Sequence, residues 1–205
     1  MTISALATAG GTLVLAGATF ASVRSANRAA RVAEQSLLAG LRPLLIPSRL
    51  EDPPQKVTFM DGKLLRAPGG GGVAEATDEA VYLAIALRNA GSGIAVLHGW
   101  HVSRRDLGPQ EHLQPEDFTR LTRDLYVPVG EVGFWQGTFR DPSSPEFAAA
   151  RALIDARDSI TVDVLYSDFE GGQRMISRFG MLPRDDDGWI ATVARHWNID
   201  RADPR

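Results

Sequence analysis

Val81-Tyr82-Leu83-Ala84-Ile85-Ala86-Leu87-Arg88-Asn89-Ala90-Gly91-Ser92-Gly93-Ile94-Ala95-Val96-Leu97-His98-Gly99-Trp100-His101-Val102 is the stretch that decides the fold class. Val81, Leu83, Ile85 and Leu87 point one way, and Tyr82, Ala84, Ala86 and Arg88 the other, which is the period of a β-strand. Residues 89–93 read as a turn, with Gly91 and Gly93 free to take positive φ. Residues 94–102 then run back as the partner strand. A long strand, a tight turn and a second strand are the unit of an antiparallel sheet.

Working toward the N-terminus, residues 67–76 hold Pro68 and four consecutive glycines and read as a flexible loop. No Gly-Lys-Ser/Thr follows, so it is not a phosphate cradle. Residues 57–66 read as a hairpin around Asp61-Gly62, of type I′. Residues 42–47, Arg-Pro-Leu-Leu-Ile-Pro, read as an extended edge segment, because each proline removes a ladder donor.

Toward the C-terminus, residues 107–116 read as a polar loop and 117–123 as a short helix or the start of a strand. Residues 125–129 and 131–139 read as strands around Gly130. One helix interrupts them: Ser144 caps, Pro145 suits the first turn, and Phe147, Ala150, Leu153 and Ile154 form an inward stripe ending near Arg157. Residues 160–166, 174–181 and 189–197 complete the strands, and 201–205 form a charged tail. Eight or nine short strands with one inserted helix and no βαβ rhythm predict a mainly β fold, an antiparallel β-sandwich over residues 42–200.

The N-terminal residues 3–23, ISALATAGGTLVLAGATFASV, carry no charge. As a helix they rise about 31 Å, matching a hydrocarbon core near 30 Å. They predict a transmembrane helix over residues 1–23 that contacts membrane lipid, followed by a basic juxtamembrane helix over 24–41. Two rival readings stand beside it: a cleaved signal peptide, with Ala16-Gly17-Ala18 as the candidate cleavage site but only the α-amine as a positive n-region, and a buried soluble helix, against which the abrupt end at an arginine cluster argues. Between Arg24 and Arg49 five arginines face one acid, Glu34, for a net charge of +4. From Leu50 onward 17 basic and 24 acidic residues leave −7. Arg24, Arg28 and Arg31 flank the span on its C-terminal side, so the positive-inside rule places the N-terminus outside and the β domain in the cytoplasm, at the inner membrane. Small residues recurring at four-residue spacing (Ala7 and Gly11, Gly17 and Ala21) would allow self-association of spans. The acidic domain opposes nucleic-acid binding.

The chain has no cysteine, so thiol chemistry and cysteine zinc sites are excluded. His98 and His101, three apart on a strand, are expected to face opposite sides, which a metal pair could not use. Asp185-Asp186-Asp187-Gly188 fails as a calcium loop, since Pro183 and Ala194 would occupy the first and twelfth positions. No Gly-x-Ser-x-Gly is present. The sequence therefore carries no catalytic, cofactor or metal signature. Trp189 and Trp197 share parity on the last strand with Arg195. Their expected role is either core packing or an aromatic strip that docks a protein partner.

The motifs Arg42-Pro43-x-Leu45, Leu87-x-Asn89-x-Gly91-x-Gly93-x-Ala95, Gly133-Phe134-Trp135-Gln136 and Leu165-Tyr166-x-Asp168-x-x-Gly171-Gly172 resemble a broad group of uncharacterised bacterial proteins. Each member has a single membrane span followed by a β-sandwich. The resemblance implies a topology and a fold but no activity. The functional expectation is a membrane-anchored binding or scaffolding module. The alternatives are an enzyme assembled from distant residues, with the 67–76 loop as a lid, and an exported envelope domain.

Overall fold

The computed structural model describes residues 3–104, 111–185 and 188–200, with backbone only for 3–14 and 39. The chain divides into two units, residues 1–40 and 41–205. The first is one α-helix, α1, Ile3–Gly40, so the span and the juxtamembrane helix expected from the sequence are a single unbroken element. Among the described residues no helix is long and apolar enough to cross a membrane. The helix is thus present while the span is unsupported, and part of the span, residues 3–14, is described by backbone alone.

The second unit is mainly β and antiparallel. Its strands are β1 Leu45–Pro47, β2 Gln55–Thr58, β3 Leu64–Ala67, β4 Gly71–Ala76, β5 Val81–Asn89, β6 Ala95–Ser103, β7 Thr119–Val127, β8 Val132–Phe139, β9 Ile160–Ser167, β10 Arg174–Pro183 and β11 Trp189–Asn198. The second helix, α2, Pro145–Asp155, lies between β8 and β9. Nine strands form one sheet in the order β8-β5-β4-β11-β10-β9-β6-β7, with β1 pairing the far end of β5 beside β4. In place of the two-layer sandwich expected from the sequence stands this curled nine-stranded sheet, with β2 and β3 paired to each other as a separate two-stranded sheet. β7 and β8 are consecutive in the chain yet stand at its opposite ends, and Arg123 Nη2 on β7 donates to Gln136 Oε1 on β8 at 2.9 Å.

The alternation of β5 survives intact. Val81, Leu83, Ile85 and Leu87 are fully buried in the main core, with Trp135, Phe179 and Met181 from the rest of the curl. Its other face, Tyr82, Ala84 and Ala86, is also buried, beneath the β2–β3 hairpin through Val57, Phe59 and Leu65. Small residues there let the hairpin lie close. In that hairpin only Gly62 has positive φ, 84°, so the turn is not type I′: Gly62 N–H donates to Phe59 O, and Phe59 pairs with Lys63. α2 plugs the core with Phe147, Ala150 and Leu153. It ends with Arg157 in the left-handed conformation, φ 53°, and Asp158 N–H returning to Leu153 O at 2.9 Å.

The glycine-rich stretch expected to be a loop is mostly β4, an interior strand. A Cβ on Gly71 would lie 2.5 Å from Trp189 O, and one on Gly72 2.7 Å from Ala84 O. Close backbone packing between β5 and β11 selects glycine there, against its weak strand propensity. A strand hydrogen-bonded on both sides cannot serve as a lid.

Close approach also explains the β5–β6 turn. Neither Gly91 nor Gly93 has positive φ. A Cβ on Gly93 would stand 1.7 Å from Leu41 O. The segment leading into β1 is pressed against this turn and tied by Asn89, which is fully buried. Asn89 Oδ1 accepts from Leu44 N–H (3.1 Å) and Gly91 N–H (3.0 Å). Asn89 Nδ2 donates to Gly93 O (2.7 Å) and Val127 O (2.9 Å). The side chain fills both donor and both acceptor positions, and so joins β1, the turn and β7.

Candidate functional site

β6 and β7 are irregular at the same point. Leu97 pairs with Leu125 and Gly99 with Arg120, so His98 alone on β6 faces residues 121–124 on β7. Against β9 on its other side, β6 carries the same extra residue, since Leu97 pairs with Tyr166 and Gly99 with Leu165. Such bulges cost ladder hydrogen bonds and re-aim side chains. Here they open a pocket of about 400 Å³ on the outer face of the sheet. Five ionisable side chains line it: His98, Glu116, Arg120, Asp124 and Arg174. Phe118 and Leu165 form its apolar wall.

The charges in the pocket have different commitments. Arg174 is held from outside by Asp200, through Nε (3.0 Å) and Nη2 (2.7 Å). Asp124 accepts from Tyr126 O–H at 3.3 Å. Burial holds the His98 imidazole below its ordinary pKa; Asp124 pulls it back up, and Arg174 pushes it further down. His98 Nε2 lies 2.7 Å from Ser167 Oγ, and Ser167 O–H donates to Asp168 O at 2.7 Å. With the one hydroxyl proton spent on that carbonyl, Nε2 must be the donor to Ser167. An imidazole that donates to a serine does not act as its base, so this pair is not an activated nucleophile. The arrangement suits recognition of a polar ligand.

The β6 bulge also corrects the expectation for the histidines. Leu97 and Trp100 both enter the main core, so one residue of alternation is lost between them. His98 and His101 therefore share the outer face. Among the described residues no group of three or more histidine or carboxylate side chains is placed to hold a metal.

A second bulge splits the aromatic strip. Phe179 pairs with Val193 but Arg178 with Arg195, leaving Ala194 extra on β11. Trp189, 3% exposed, enters the main core, with the Arg157 guanidinium 4.9 Å from its ring. Trp197, 4% exposed, turns to the outer face with Phe118, Leu165 and Ile176. Arg195 stays with Trp197, its guanidinium 5.6 Å from the ring, and His112 lies 5.7 Å away. Beside them Arg178 makes a bidentate pair with Asp163 (both bonds 2.8 Å), stacks on Trp197 at 4.9 Å and donates to Glu111 O. Trp189, Arg195 and Trp197 thus do not form one docking strip, and both indoles are buried. The predicted turn around Asp185 is closed by Arg184 N–H to Gly188 O at 3.0 Å, while residues 186 and 187, and the tail 201–205, lie outside the described residues.

Sequence reasoning named His98 but missed Glu116, Arg120, Asp124 and Arg174 as its companions. Gly99 inside a strand pattern was the available sign of a bulge. For the β11 bulge the sequence offers no sign. In comparisons with known proteins, no family model, no curated protein and no solved structure matches this chain.

Proposed function

We propose that this chain is a binding module tethered to the inner membrane by the first part of α1, with its β domain in the cytoplasm, and that the pocket between the β6 and β7 bulges receives its partner. The pocket carries the reading. Two adjacent strands break their ladder at one place, and the break exposes five ionisable groups beside an apolar wall. The tether rests on 21 uncharged positions followed by Arg24, Arg28 and Arg31. The group of single-span proteins that the motifs resemble has the same arrangement. A polar pocket lined by His98 with the acids Glu116 and Asp124 is also what the enzyme alternative calls for; the hydrogen bond from His98 to Ser167 speaks only against a serine nucleophile there.

The test is site-specific photo-crosslinking in living cells. A benzophenone amino acid replaces Arg120 in the pocket, and in a control it replaces the exposed Thr192 on β11. The expected result is a discrete adduct from position 120 that is absent from position 192. Equal labelling at both positions, or none at 120, refutes the pocket as the binding site.

A further inference from the structure

Arg24, Arg28 and Arg31 stand at i, i+4 and i+7 in α1, so they share one face over two helical turns, about 10 Å of axis. All three are exposed, and none has an ion-pair partner among the described residues. Phe20, 69% exposed, lies one turn earlier on the same face, and Leu15 and Val23 are also exposed, at 69% and 52%. Large apolar side chains followed directly by a guanidinium row match the depth profile of a membrane interface, with apolar groups at acyl depth and cations at headgroup depth.

We infer that this face of α1 binds the phosphates of anionic phospholipids, so that the chain selects an anionic leaflet. The inference rests on the membrane tether proposed above and adds the lipid chemistry to it. Arginine fits because its planar fork makes paired hydrogen bonds to phosphate oxygens. A second copy of the chain is a poor occupant, because symmetric pairing would set this row of cations against itself. Nucleic acid is a poor occupant because the chain beyond Leu50 carries a net −7.

The test uses the full chain, made by cell-free synthesis in the presence of preformed vesicles and then floated on a density gradient. The vesicles are phosphatidylcholine alone or phosphatidylcholine with 30% phosphatidylglycerol. The expected result is tenfold or greater preference for the anionic vesicles at low salt, shrinking at 0.5 M salt. The variant with Arg24→Gln, Arg28→Gln and Arg31→Gln loses the preference, while the variant with lysine at all three positions keeps most of it. Glutamine on an exposed helical face leaves helix formation nearly unchanged, so loss of folding does not mimic the result. Equal flotation on both vesicles, unchanged in the glutamine variant, overturns the inference and leaves the tether standing. Flotation on neither overturns both. A salt-insensitive preference overturns the phosphate contact.

Discussion

Replacing Asn89 by Asp changes one group, the side-chain amide, into a carboxylate oxygen of the same size. The acceptor at Oδ1 keeps its two N–H donors from Leu44 and Gly91. The two bonds from Nδ2 are lost, and the new oxygen faces Gly93 O and Val127 O at the former 2.7 and 2.9 Å. Two buried carbonyls left without donors cost about 1–3 kcal/mol each, and a buried charge beside them adds more. The expected destabilisation at pH 7 is about 3–5 kcal/mol, a large share of the 5–15 kcal/mol typical of a domain. Burial and the facing carbonyls hold the new carboxyl above its unfolded value near 3.9. The folded state then keeps its proton longer than the unfolded state, so the deficit against wild type is smallest near pH 4 and grows as pH rises. Urea unfolding of the full chain in detergent, followed by tryptophan fluorescence at pH 4.5, 6 and 8, measures it. A deficit under about 1 kcal/mol at pH 8, or one that shrinks as pH rises, refutes the role assigned to Asn89.

Asp163→Asn breaks the buried ion pair with Arg178; a loss of about 3–5 kcal/mol is expected in the same assay. His98 should titrate below 6.5 when followed by NMR of its ring protons, and Asp124→Asn should lower the midpoint further. Because its folded pKa is depressed, His98 contributes stability that is complete above 6.5 and lost as pH falls, and His98→Gln should flatten that limb of the stability profile. Reporter fusions after Arg205 should give green fluorescence without alkaline phosphatase activity. The opposite pattern would move the β domain outside and favour an envelope role.

How much was legible follows from where local rules govern the chain. β5 was readable because its alternation runs unbroken and both faces are filled by neighbours. α2 was readable because its cap, Ser144, and its stripe are both local. Parity arguments failed on β6 and β11, since one bulged residue reverses every face assignment beyond it. The pairing of His98 with His101 and of Trp189 with Trp197 were both such arguments. Gly71 and Gly72 misled in a different way: loop-like residues were selected by close packing against Trp189 O of the distant β11 and Ala84 O of the neighbouring β5. The pocket was hidden because Glu116, Asp124 and Arg174 meet His98 only through strand order, and local sequence does not encode that order.

The double irregularity at His98 has a dynamic consequence. β7 is stitched to β6 by two short ladders, residues 95–97 with 125–127 and residues 99–100 with 119–120, separated by an unladdered gap. Most of its side chains are exposed, while β5 is buried almost throughout and β10 is buried over residues 175–179. Amides in the 119–124 stretch are therefore expected to exchange with solvent faster than those of β5, a difference that hydrogen exchange measures. The pocket therefore opens at a gap in the ladder between two fixed points: Asn89 Nδ2 holds β7 at Val127 O on one side, and Arg123 ties it to Gln136 on β8 within the gap.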